Sequence, residues 1–176
     1  KSVLGDQVQQ AGSLVHPNYL RFDLTYFEKI SKAQIREIEK IVNSQILINN
    51  TLNVSIKAYD EAIKNGVVAL FGEKYGDQVR VISTGKFSNE LCGGTHVNST
   101  GDIGLLKIIE ESSLASGVRR IVAVTGSAAL ELFQNQSDLI FDIQRKFNCN
   151  EDELSNRINT LYEDKKSLEK KLKQLN

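Results

Sequence analysis

The chain has no methionine and no tryptophan, one proline, two cysteines and two histidines, and its 22 basic residues are balanced by 22 acidic ones. Each scarcity closes off a class of function. Balanced charge leaves no global field to draw the whole chain onto nucleic acid or membrane, so any RNA contact must use a local patch. Two cysteines with no signal-peptide pattern do not make a disulfide scaffold, and they suit a reduced, cytoplasmic setting. No apolar run approaches the roughly 20 residues of a membrane span, so no membrane partner is expected. With Lys1 in first place and no methionine anywhere, the sequence reads as a piece of a longer chain. Its 176 residues suit one well-cored domain with an arm rather than two full-sized domains.

Against this poverty the stretch Glu90-Leu91-Cys92-Gly93-Gly94-Thr95-His96 stands out, because it places a cysteine and a histidine together across a glycine turn. A thiolate and an imidazole suit a zinc-like ion, which is held by four ligands, or by three and a water, so the pair is half of a metal site. The alternative is a buried free cysteine near a loop histidine. The other histidine, His16, precedes Pro17 and reads as a loop residue.

Along the chain, Val3, Leu4 and Val8 have the spacing of a helix end that stops near Gly12, which would put Gln10 and Ser13 at a helix-to-strand junction. There their side chains could aim at a ligand or merely cap a turn. Tyr19 to Tyr26 alternates as a strand, and Ser31-Lys32-Ala33-Gln34 is a capping box opening a helix over about 32–48. A strand over 51–57 and a short helix over 59–65 follow. The apolar run 67–74, with Glu73 and Lys74 as solvated turn residues, and the strand 78–84 read as a hairpin or strand pair. Strands over 103–112 and 118–125 are expected around a loop 113–117, with Arg119 and Arg120 on opposite faces, one of them a candidate for phosphate or for an exposed edge charge. From Gly126 the pattern turns helical. Leu154, Ile158, Leu161, Lys165, Leu168, Leu172 and Leu175 form a heptad seam of about three repeats, the pattern of a short coiled coil or helical hairpin. The fold expected is α+β: an antiparallel sheet with packed helices, then a helical or coiled-coil arm.

Taken in order, VLGDQVQQAGSLV, LRFD, ALFGEKYGDQVRVIS, ELCGGTH, TGDIGL and GVRRIVAVTG resemble the editing region of the alanyl-tRNA synthetase family. The resemblance covers roughly residues 1–126, and residues 127–176 are similar to the family's helical segment leading to a C-terminal domain that is not present. It implies one zinc ion held by an HxxxH pair, expected upstream of Lys1, together with Cys92 and His96. Gln10 and Ser13 match the family's glutamine-x-glycine-serine turn and become the candidate catalytic residues. Ala11 stands where the family usually has a basic residue, and Leu24-Thr25-Tyr26 replaces its usual aromatic-serine-histidine.

The activity implied is hydrolysis of seryl- or glycyl-tRNA(Ala), with tRNA(Ala) as partner and self-association through the arm as a second contact. ATP and Mg2+ would belong only to an aminoacylation segment that this sequence lacks, and the truncated site is expected to be weak or inactive. Cys92 reads better as a ligand than as a nucleophile, because no histidine is clearly placed as its base. Two other readings stay open. A free-standing editing hydrolase would share CxxxH without needing the heptad arm, and a non-catalytic tRNA or protein interaction module would use the arm alone.

Overall fold

The computed structural model describes residues 1–69 and 74–175. Two compact units divide the chain, Lys1–Leu130 and Glu131–Asn176. The first holds a four-stranded and a three-stranded antiparallel sheet. In the larger sheet, β1 (Gln10–His16), β2 (Tyr19–Thr25), β7 (Val118–Thr125) and β6 (Leu106–Ala115) lie in that spatial order. The smaller orders β3 (Leu52–Ala58), β4 (Gln78–Thr84) and β5 (Ser88–Leu91). Helix α1 (Lys32–Ile48) separates β2 from β3 along the chain, and the short α2 (Tyr59–Lys64) follows β3.

Alternation decides which face of each strand is buried. Phe22 and Leu24 of β2 join Leu4, Val8, Ile30, Ile35, Ile38 and Ile121 in one apolar cluster, which leaves Arg21 and Asp23 on the opposite face. In the smaller sheet Val79, Val81 and Leu91 pack on Ala62 and Val67, so Arg80 between them must face the other way. Tyr59 stacks on Tyr75 beside this second cluster.

The capping box forms as expected: Gln34 N–H donates to Ser31 Oγ at 3.2 Å and Ser31 N–H to Gln34 Oε1 at 2.9 Å. One turn apart on the same helix face, Glu39 and Asn43 stitch α1 to β6. The Asn43 amide exchanges bonds of 2.9 and 2.8 Å with the Leu106 backbone, and Glu39 accepts from Ile108 N–H at 2.8 Å and Lys107 Nζ at 3.0 Å. At the helix end, Asn49 takes the left-handed conformation, and its side chain accepts Gly101 N–H at 3.0 Å. Buried Thr100 donates to Gln45 O at 2.8 Å and accepts Asn50 N–H at 3.0 Å. These contacts pin the 3₁₀ turn Thr100–Ile103 against α1.

Three expectations are corrected. Residues 1–8 form turns rather than a helix end: Gly5 sits at φ +103°, which no helix tolerates, and Gly5 N–H bonds Lys1 O while Val8 N–H bonds Gly5 O. The spacing of Leu4 and Val8 came from a shared core contact and not from helical period. The loop expected over 113–117 shrinks to Ser116-Gly117, because Gly117 at φ +71° allows a tight hairpin: the first strand, expected over 103–112, runs from Leu106 to Ala115 to meet it, while the second keeps its expected bounds. Val68, expected to pair with the 78–84 strand, makes an isolated parallel bridge to Glu90 of β5 instead, and β4 pairs β3 and β5. Gly72 and Glu73 of the expected charged turn lie outside the described residues, as does the side chain of Leu175.

Helix α3 (Gly126–Phe147) runs into the second unit, which α4 (Glu151–Leu175) completes after a left-handed Asn148. Along the α4 seam Ile158, Leu161, Leu168 and Leu172 are all exposed. No described helix is long and apolar enough to cross a membrane.

Candidate functional site

The Cys92–His96 loop leaves the end of β5 and is fastened at both ends. At its start the smaller sheet's ladder continues one step, with Cys92 N–H donating to Arg80 O at 3.1 Å. At its far end Leu52 N–H donates to Asn98 O at 2.9 Å, and Ser99 bridges Thr51. Between these points the loop is drawn in by one side chain. Arg80 Nη1 donates to Cys92 O at 3.0 Å and to Gly94 O at 2.6 Å, and stands 3.4 Å from His96 Nδ1. One guanidinium nitrogen carries two hydrogens, and the nearer carbonyls take both, so the His96 ring is not committed as an acceptor. Among the described residues no carboxylate pairs with Arg80, and its charge is answered by peptide dipoles alone.

Cys92 is half-buried with a free thiol, while residues 93–96 are exposed. Neither Gly93 nor Gly94 has a positive φ. A Cβ at Gly93 would meet nothing within 4 Å among the described residues, and one at Gly94 would come 3.5 Å from Cys92 Sγ. Packing therefore does not explain the glycine at 93. It leaves the backbone open to whatever approaches the thiol and imidazole.

Gln10 and Ser13 lie on the larger sheet, where β1 carries a bulge. Gln10 faces Leu24 and Gly12 faces Asp23, so exposed Ala11 is the extra residue. Bulges of this kind re-aim side chains, and here Gln10 Nε2 donates to Ser13 Oγ at 3.1 Å. Behind the bulge, Asp23 is 4 % exposed and takes a two-pronged grip from Arg120, with Arg21 Nε a further 3.5 Å from Oδ2. A Cβ at Gly12 would come 3.5 Å from Asp23 Oδ2. The hydrogen bond from Arg120 holds the Asp23 carboxyl below the usual carboxylate range against the opposing cost of burial, and Asp23 raises Arg120 in return.

Neither arginine of the expected phosphate patch is free. Arg120 is committed to Asp23, and Arg119 to Glu111, whose carboxylate also accepts Ile30 N–H. They do point to opposite faces, as alternation requires, but each meets a buried acid. Arg80 and Asp23 were missed by sequence reasoning. The signal for Arg80 was its outward place between Val79 and Val81, but linking it to Cys92 needs the β4–β5 register.

Among the described residues no three His, Cys, Asp or Glu side chains cluster closely enough to hold a metal ion. Cys92 and His96 match a zinc donor set in kind and supply two of its four positions. The larger-sheet pair and the smaller-sheet pair are thus two separately built groups of polar atoms, one on a bulge and one in a clamped glycine loop.

The architecture corresponds to a known class. Residues 79–122, which include the whole clamped loop, match the family described as the threonyl and alanyl tRNA synthetase second additional domain. Over 99 % of its length the chain is 55 % identical to alanine–tRNA ligase of Thermotoga maritima, and 47 % identical to that of Fervidobacterium nodosum. The chain belongs to the alanine–tRNA ligase family. It spans about 20 % of the length of these curated relatives.

Proposed function

We propose that this chain carries the editing function of an alanine–tRNA ligase, hydrolysing the ester of tRNA(Ala) mischarged with serine or glycine. The observation that carries the reading is the Arg80-clamped Cys92–His96 loop in a chain of this family. The need for such a site is physical. A pocket that fits alanine cannot exclude glycine by size, and one added hydroxyl yields only about a hundredfold discrimination, well below what translation requires. A second site must remove the errors.

In this reading residues 1–126 form the editing domain and 127–176 a helical arm. Gln10 and Ser13 are the catalytic pair, their amide and hydroxyl orienting the ester and the attacking water. Water, rather than a side chain, attacks the carbonyl carbon; the oxyanion that forms collapses and expels the 3′-terminal ribose oxygen, which takes up the proton that the attacking water gives up. Backbone N–H groups of the glycine loop stabilise the oxyanion. Cys92 and His96 would hold a zinc ion together with two ligands from an upstream HxxxH, and the ion would supply Lewis-acid polarisation and positioning of substrate and water. ATP and Mg2+ belong to the ligase's aminoacylation segment, and the setting is the cytoplasm. The exposed α4 seam supports self-association through the arm.

The test compares this chain with a version extended upstream through the HxxxH, both supplied with zinc, on seryl-tRNA(Ala), with alanyl-tRNA(Ala) as control. Hydrolysis of the serine ester by the extended protein alone is the expected result. Two folded but inactive proteins would refute the reading.

A further inference from the structure

Arg80 has no part in the reaction as described so far, yet it is built into the loop twice over. Its own carbonyl receives Cys92 N–H, and its guanidinium reaches back to the Cys92 and Gly94 carbonyls. This turns an arginine in mid-strand into a bracket for alternate peptides of the loop. A trans peptide carries its N–H opposite its C=O. Drawing the carbonyls of Cys92 and Gly94 toward Arg80 therefore turns the next N–H groups in the chain, those of Gly93 and Thr95, to the opposite side. Among the described residues neither of these N–H groups has a hydrogen-bond acceptor, and both residues are exposed. Gly93 adds no side chain that would block them, although its φ permits one and open space surrounds it.

We propose that Arg80 is the positioning residue of this loop, aiming the Gly93 and Thr95 N–H groups as a paired donor for the carbonyl oxygen of the ester. The proposal rests on the editing reading and deepens it. The cation does not touch substrate; it acts through the two peptides it holds. Hydrogen bonds from a charged donor are short and strong, and a donor pair fixed before the reaction needs no reorganisation as charge develops on the oxygen.

The experiment uses the complete ligase chain, purified with zinc, as wild type, Arg80→Gln and Arg80→Lys. Deacylation of seryl-tRNA(Ala) is measured beside alanylation and bound zinc. The expected result for Arg80→Gln is a kcat for deacylation reduced about 100-fold, with KM, zinc content and alanylation near wild type. Arg80→Lys should recover about tenfold of that loss, since an ammonium also donates to two carbonyls. A rate for Arg80→Gln within about threefold of wild type, well short of a lost oxyanion donor, overturns the proposal. So does a rate loss that tracks lost zinc or lost alanylation, which would make Arg80 merely structural.

Should Arg80→Gln fail to fold, the wild type still decides the matter. A seryl-tRNA(Ala) analogue with an amide in place of the ester should slow hydrogen exchange in the peptide spanning residues 91–96. Binding without that protection overturns the donor pair. A wild type that leaves seryl-tRNA(Ala) intact overturns the editing reading itself, and is recognisable because no variant is involved.

Discussion

Arg120 grips Asp23 across the β2–β7 pair with two parallel bonds, Nε to Oδ1 at 2.7 Å and Nη2 to Oδ2 at 2.9 Å. The carboxylate lies directly behind Gly12, so this ion pair backs the bulge that carries Gln10 and Ser13. A structural salt bridge and the proposed catalytic turn share one cross-strand position.

Replacing Asp23 with asparagine keeps the shape but removes the charge that answers Arg120 and Arg21, and should cost on the order of 2 kcal/mol at neutral pH. The pH dependence has a definite sign. The folded-state pKa of Asp23 is lowered, so its contribution is present above the unfolded value, about 3.9, and is lost as pH falls through the folded value. Urea unfolding of both proteins at pH 7 and at pH 3 should show the gap between them shrinking in acid. A gap that is constant or widens would contradict the assignment.

Gly104 sits at φ +68°, and a Cβ there would come within 2.9 Å of the Gly126 Cα. Gly104→Ala combines a left-handed strain with a backbone collision that no side-chain rotation relieves. A loss of about 2 kcal/mol or more is expected, read as a lower urea midpoint.

Gly93→Ala should separate folding from function. With open space around the position and no positive φ, stability should stay within about 0.5 kcal/mol of wild type. Deacylation of seryl-tRNA(Ala) by the complete ligase should nevertheless fall, because the new methyl group enters the open side of the loop. Unchanged deacylation would remove the loop from the reaction.

Gln10→Ala removes the donor to Ser13 Oγ from an accessible bulge. Deacylation is expected to fall by about 10–100-fold, with alanylation by the same protein unchanged, which kinetics on the two activities would show.

The N-cap of α1 offers a control remote from the loop. Ser31→Ala breaks one arm of the capping box and should cost about 1 kcal/mol without altering zinc content. A lower unfolding midpoint with an unchanged metal stoichiometry is the expected pair of results.

The sequence by itself determined whatever depends on neighbours along the chain. The alternation of β2 and β4, the capping box of α1 and the α4 heptad row are local periodicities, and they reappear at or near their expected bounds. Cys92, His96, Gln10 and Ser13 could be singled out because rare residue types and ordered motifs survive without coordinates. Residues 1–8 misled because Leu4 and Val8 share a core contact that mimics helical spacing, and only the φ of Gly5 breaks the resemblance.

What the tertiary structure alone decided is pairing between distant segments. That Val68 bridges Glu90, that Arg119 and Arg120 each meet a buried acid, and that Arg80 reaches the Cys92 and Gly94 carbonyls all depend on strand register. A one-residue slip would send each of these side chains to the other face. Register is set by the summed burial of whole strands, and no short stretch of sequence contains that sum.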